Sequence, residues 1–106
     1  MDARLEFLKS KIVEAGNPDK IILFGSHARG TATDDSDFDL LVIGPSNLPR
    51  LDREYLLNSA IFDSGIACDL IALTQEEVDA RLRIRGPFIG EILSTGKVIY
   101  ERDQSV

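Results

Sequence analysis

Near the start of the chain, Leu5, Leu8, Ile12 and Val13 recur at helical spacing, with Arg4, Lys9, Lys11 and Glu14 between them. This pattern predicts an amphipathic helix over residues 2–15. Asp2 is placed to cap its start, Gly16 to end it, and Asn17-Pro18 to prevent its continuation. The apolar run Ile21-Ile22-Leu23-Phe24 then stops at Gly25 and reads as a buried strand. Residues 25–36, rich in Gly, Ser, Thr, Ala and Asp, read as a loop with room for one helical turn. A second strand is predicted from Asp37 to Ile43, closed by Gly44-Pro45-Ser46-Asn47.

Residues 49–62 read as a helix whose broad apolar face gathers Leu51, Tyr55, Leu56 and Phe62. The turn Asp63-Ser64-Gly65 leads to a third strand, Ile66 to Leu73. Thr74-Gln75-Glu76-Glu77 has the form of a capping box, opening a helix that runs to about Arg85, where Gly86-Pro87 breaks it. A last short helix, 88–95, stops at Gly96, and Val98-Ile99-Tyr100 either adds an edge strand or simply packs. The order of elements predicts an α+β fold: a small mixed sheet of three to four strands flanked by helices.

Composition narrows the classes. A length of 106 residues fits one domain over 1–106. Twelve basic against 18 acidic residues give a net charge of −6, which disfavours direct nucleic-acid binding, because affinity for phosphate backbones rests on Lys and Arg. The lone Cys68 excludes an internal disulfide and fits a reducing compartment. No apolar run approaches the length of a membrane span, and the N-terminus lacks the apolar stretch of a signal peptide. A cytoplasmic location without membrane attachment is the expectation.

Chemistry concentrates in Gly25-Ser26-His27-Ala28-Arg29-Gly30 and Ser36-Asp37-Phe38-Asp39-Leu40. Asp37 and Asp39 stand two apart on a predicted strand, so both project from one face while Phe38 and Leu40 turn to the core. Paired carboxylates repel unless a cation or a shared proton offsets their charge. Taken alone, the pair could equally decorate an exposed edge. Gly25 follows a buried strand, where a missing side chain lets another group approach, and Ser26 offers a hydroxyl and an amide suited to phosphate oxygens. An ordinary strand-to-turn junction would look the same. Asp69 is the single charge in the apolar run 66–73, and an ionised Asp inside a buried strand is costly unless paired or bound to metal. A sheet that set Asp69 beside Asp37 and Asp39 would offer three carboxylates to Mg²⁺, a cation that prefers oxygen ligands. A strand-end Asp bonded to a backbone amide is the alternative.

These residues together resemble a known signature. Gly25-Ser26-x-Ala28-Arg29-Gly30, Ser36-Asp37-x-Asp39-Leu40, Asp69 on a later strand, and the tail Ile92-Leu93-x-x-Gly96-x-x-Ile99-Tyr100-Glu101 look like the minimal nucleotidyltransferase (MNT) branch of the polymerase-beta-like superfamily. The resemblance implies a nucleotidyltransferase fold and transfer of a nucleoside monophosphate from ATP or another NTP, with release of pyrophosphate. It implies two Mg²⁺ ions held by Asp37 and Asp39, with Asp69 binding one of them and helping to deprotonate an acceptor hydroxyl. Gly25 and Ser26 would hold the triphosphate. It also implies a HEPN-domain toxin as partner, neutralised by this chain as antitoxin through attachment of AMP. The alternative is a non-catalytic antitoxin that neutralises by contact alone. Only about 37 residues follow Asp69, so another chain is expected to complete the acceptor site.

Neighbouring residues invite weaker readings. His27 is expected to sit beside the nucleotide, half exposed, rather than act as a base. Arg29 is a nucleotide contact, or a brace paired with Asp34 or Asp35. Arg81, Arg83 and Arg85 read as a solvated helix end that complements the dipole, with a partner or nucleotide contact as the alternative. Cys68 should face away from Asp69, into the core.

Overall fold

The computed structural model describes residues 2–84 and 87–102. Its centre is a four-stranded sheet in the order β3-β2-β1-β4, formed by β1 (Lys20–Phe24), β2 (Phe38–Ile43), β3 (Cys68–Leu73) and β4 (Lys97–Glu101). Strands β1 and β2 pair antiparallel, β2 and β3 parallel, and β1 and β4 antiparallel. The sheet is therefore mixed, and the 98–100 segment does add an edge strand. A bulge opposite Ile21 and Ile22 admits one extra residue in β4.

Helices cover both faces of the sheet, which is why β2 reads as an almost unbroken apolar run. One face packs Ile21, Leu23, Phe38, Leu40, Val42, Leu70 and Ala72 against α1 (Ala3–Gly16) and α3 (Arg50–Ile61). The other packs Ile22, Leu41, Ile43 and Leu73 against Val78 of α4 (Gln75–Arg83) and Ile89 and Ile92 of α5 (Pro87–Thr95). Leu5, Leu8 and Ile12 of α1 are buried and Val13 packs beside them, as their spacing predicts. Asp2 caps α1 by accepting the Arg4 amide at 2.8 Å. The other end differs from expectation: Gly16 is the last helical residue, and Asn17 takes the left-handed turn at φ 44°. Gly16 instead serves close approach, since a Cβ there would come within 2.9 Å of Leu57 on α3.

Helix α3 is rotated from its predicted orientation. Leu57 and Ile61, four residues apart, are its buried positions, while Leu51, Tyr55, Leu56 and Phe62 are exposed. The cause is the α1 contact at Gly16, which fixes Leu57 inward and turns the predicted face outward. A 3₁₀ turn, Phe62–Ser64, and Gly65 then lead into β3.

Arg53 locks this half of the molecule. Its guanidinium donates to both Glu77 carboxylate oxygens at 2.6 and 3.0 Å and to the Ala72 carbonyl at 3.0 Å, tying α3, β3 and α4 together. Glu77 also completes the predicted capping box: it accepts the Thr74 amide at 2.8 Å, while Thr74 Oγ1 accepts the Glu77 amide at 3.2 Å. The Arg53 ion pair, followed by the Thr74 amide, lowers the Glu77 pKa from 4.5 to about 2. A depressed carboxylate stabilises the fold fully above its unfolded pKa and loses that contribution as pH falls toward the folded one. Glu77→Gln should therefore cost about 1–2 kcal/mol at neutral pH, less than a fully buried pair because over a third of Glu77 is exposed. In urea unfolding, the gap from wild type should persist down to pH 4.5 and close as pH approaches 2.

The basic run at the end of α4 matches its bland reading in part: Arg83 is exposed and Arg81 half-buried, with no ion pair to either among the described residues. Arg85 and Gly86 lie outside the described residues.

Candidate active site

Antiparallel pairing of β1 and β2 brings the end of one strand to the start of the other. Phe24 lies opposite Asp39, and Gly25 begins the short helix α2 (Gly25–Arg29) immediately beyond. Parallel pairing of β2 and β3 then places Asp39 directly opposite Asp69. Alternation sends Asp39 and Asp69 to the α4/α5 side of the sheet, with Leu41, Ile71 and Leu73 following on the same face. Phe38 and Leu40 are buried on the opposite face, as predicted. The regular strand starts one residue later than expected: the Phe38 amide donates to the Ala67 carbonyl at 3.0 Å, and Asp37 sits on the lip before it.

Asp69 departs from its sequence reading. Strand β3 starts at Cys68 rather than Ile66, so Asp69 is its second residue and is exposed. Asp39 is the shielded member. Burial raises its pKa above the usual carboxylate range, and the charges of Asp69 and then Asp37 raise it further; His27 and Arg29 oppose them weakly. The same charges reach Cys68, whose thiol is pushed up to about 12 by burial first and then by Asp69, Asp39 and Asp37. Cys68 packs against the α1/α3 core, the expected orientation. None of the three carboxylates accepts a hydrogen bond from a described residue.

Gly25 is shaped to this acidic site. It has φ +72°, and a Cβ on it would overlap the Asp39 carboxylate, with Asp39 Cγ at 3.0 Å. The backbone turn thus presses against the carboxylate, which only glycine allows. Ser26 and Arg29 follow on α2. With Phe24, Gly25 and Asp39 they form one wall of a cavity of about 340 Å³, whose other wall is α5. Arg29 is exposed and pairs with neither Asp34 nor Asp35 among the described residues, so the bracing reading is not what the structure shows. Its long side chain reaches the cavity instead.

His27 does the bracing. Its Nε2–H donates to the Ser36 carbonyl at 3.0 Å, and its ring stacks on Phe38 with centroids 4.0 Å apart and planes 12° from parallel. The loop is closed further by the Thr33 amide donating to Ser36 Oγ at 2.9 Å. His27 is therefore not beside the cavity, as sequence reasoning expected, but holds the loop that delivers Asp37. His27→Ala should lower the unfolding free energy by about 1–2 kcal/mol, read by urea denaturation, through loss of one hydrogen bond and one stacked contact.

Helix α5 was missed as part of the site. Phe88, Glu91 and Thr95 line the cavity at positions i, i+3 and i+7, one side of a helix. That spacing was present in the sequence but no motif flagged it. A second hollow, of about 190 Å³, lies at the opposite end of the sheet beside Pro18, Leu48 and Leu57; its one charged lining residue, Arg53, is already paired with Glu77.

Comparison with known proteins gives the family. The sequence pattern described as polymerase beta, nucleotidyltransferase matches residues 6–105. The chain belongs to the polymerase beta nucleotidyltransferase family. Two relatives from Methanocaldococcus jannaschii are both provisionally named protein adenylyltransferases. One is 44% identical over 87 residues, covering 78% of this chain, and the other 33% identical over 96 residues, covering 88%. The chain spans 58% of the length of the first and 87% of the second. A crystal structure of a nucleotidyltransferase from Sulfolobus solfataricus superposes with a TM-score of 0.66 at 21% identity, covering 96% of this chain and 81% of that one. A toxin–antitoxin crystal structure with AMP-PNP gives 0.62 at 24% identity, covering 93% and 75%. The four-stranded mixed sheet with its helices is thus the fold of this nucleotidyltransferase family, and the minimal branch is the part of it that the chain resembles.

In donor type the residues match a hard divalent cation: Asp37, Asp39 and Asp69 are all oxygen donors, and no protein cation is bonded to them among the described residues. Among those residues no three His, Cys, Asp or Glu side chains already stand close enough to hold a metal ion. The backbone register sets Asp39 opposite Asp69, with Asp37 one residue before the strand.

Proposed function

We propose that this nucleotidyltransferase domain moves a nucleoside monophosphate, AMP from ATP in the first instance, to a hydroxyl of a partner protein. The observation that carries the reading is the pairing of Asp39 with Asp69 beside the Gly25 turn, with Asp37 on the adjoining lip. Asp37 and Asp39 would hold two Mg²⁺ ions, and Asp69 one of them. When bound, such ions supply charge neutralisation at the transferring phosphoryl group and activate the attacking oxygen. Gly25, Ser26 and Arg29 would receive the triphosphate, with Arg29 as its cationic contact. Asp69, exposed at the strand end, would help take the proton of an incoming hydroxyl. Its position at the open edge suits an acceptor that arrives on another molecule.

The relatives named for protein adenylylation and the toxin–antitoxin neighbour support a protein acceptor and a toxin partner. We assign the partner to the HEPN class and the role to antitoxin, acting in the cytoplasm. Co-expression with the toxin tests this. Wild type should restore growth, and the double variant Asp37→Ala with Asp39→Ala should not. Full rescue by the double variant would show that contact alone neutralises the toxin.

A further inference from the structure

The cavity beside Asp39 has two chemically different walls. The α2 wall is lined by Gly25, Ser26 and Arg29, with Asp39 beside them. The α5 wall is lined by Phe88, Glu91 and Thr95. Phe88 is half exposed at the cavity and stands edge-on to Phe24 at 5.9 Å and 86°. Glu91 forms no side-chain hydrogen bond or ion pair among the described residues; its backbone carbonyl accepts from Thr95 Oγ1 at 2.7 Å.

Both walls carry a carboxylate, Asp39 on one and Glu91 on the other. Only the α2 wall has a cationic residue, Arg29, and, in the proposed reading, a place for cations at Asp39. A triphosphate would lie there and not along α5, where Glu91 would repel it. The same carboxylate suits donors, and the hydroxyls of a ribose are donors. An exposed aromatic ring steadied by a second ring suits the flat face of a nucleobase. We infer that α5 is the nucleoside-binding wall: Phe88 stacks with the base and Glu91 accepts hydrogen bonds from the ribose hydroxyls, while the phosphates lie on α2. The inference rests on the nucleotidyltransferase reading and adds to it the residues that grip the nucleoside. Phe88 and Glu91 belong to no part of the Gly-Ser or acidic motif.

Calorimetric titration with Mg-ATP and, separately, with Mg-tripolyphosphate tests it. Phe88→Ala should weaken ATP binding about tenfold, as loss of one base-stacking contact does, and leave tripolyphosphate binding within about twofold. Phe88→Trp should retain ATP affinity, which separates stacking from any disturbance of the fold. Glu91→Ala should weaken ATP but not dideoxy-ATP. Equal losses for ATP and tripolyphosphate, or unchanged ATP binding by Phe88→Ala, would overturn the nucleoside wall while leaving the nucleotidyltransferase reading intact. Wild type that binds no NTP would instead overturn the parent reading, and this inference with it.

Discussion

Asp39→Asn should abolish nucleotidyl transfer and leave the fold at least as stable as wild type. The two effects have one cause. Asp39 is the shielded carboxylate, its pKa raised by burial and by the charges of Asp69 and Asp37. A carboxyl group with a raised folded pKa opposes folding once it is ionised, so stability attributable to it is lost as pH rises. Asparagine keeps the shape and removes the charge, relieving that repulsion at neutral pH. The same charge is what a bound cation requires. Metal ions contribute several kcal/mol of transition-state stabilisation, and about 4 kcal/mol corresponds to about a thousandfold in rate. Transfer by Asp39→Asn should therefore fall at least about a thousandfold, while its thermal midpoint without nucleotide stays level or rises. A variant that loses both activity and stability would mean that Asp39 serves the fold and not the chemistry.

Gly25→Ala should be the second most damaging change, and Gly30→Ala provides its control. Both glycines sit at positive φ, +72° and +78°, so alanine strains the backbone at either position. That strain costs about 1–3 kcal/mol. Only at Gly25 does the new Cβ meet a neighbour, the Asp39 carboxylate; at Gly30 nothing lies within 4 Å. Gly30→Ala should thus lose stability and keep most of its activity. Gly25→Ala should lose comparable stability and also more than about a hundredfold in transfer, because in the proposed function it displaces a metal-holding carboxylate, and a shift of about an ångström costs about that much. Measuring both by urea unfolding and by initial rates separates backbone strain from displacement of the carboxylate.

The face that Asp39 takes was legible because the signal is local. Phe38, Asp39 and Leu40 alternate, and alternation decides faces on any strand. The capping box at Thr74–Glu77 and the buried stripe Leu5, Leu8, Ile12 were readable for the same reason. What misled the reading was tertiary. The apolar spacing of Leu51, Tyr55 and Phe62 pointed to a core face, but the contact of Gly16 with Leu57 turned α3 the other way. Asp69 was expected to be buried, yet β3 starts two residues late and leaves it exposed. Of the two parts open to Arg29, contact with the nucleotide or bracing of the loop, the structure shows no brace, and the bracing falls to His27. Two aspartates near Arg29 suggested a brace, whereas the shape of the loop gave that task to His27 through a backbone carbonyl no sequence pattern marks. The α5 wall was invisible because a cavity forms only once helix and strand are set side by side.

The most direct test of the central claim is the transfer of label from ATP carrying a radioactive α-phosphate. The nucleotidyltransferase, Mg²⁺ and the proposed toxin partner are incubated together, and the proteins are separated and counted. The account predicts label covalently attached to the partner, dependent on Mg²⁺, and absent with the Asp37→Ala and Asp39→Ala double variant. No label from any of the four nucleoside triphosphates, or equal label with the double variant, would contradict it.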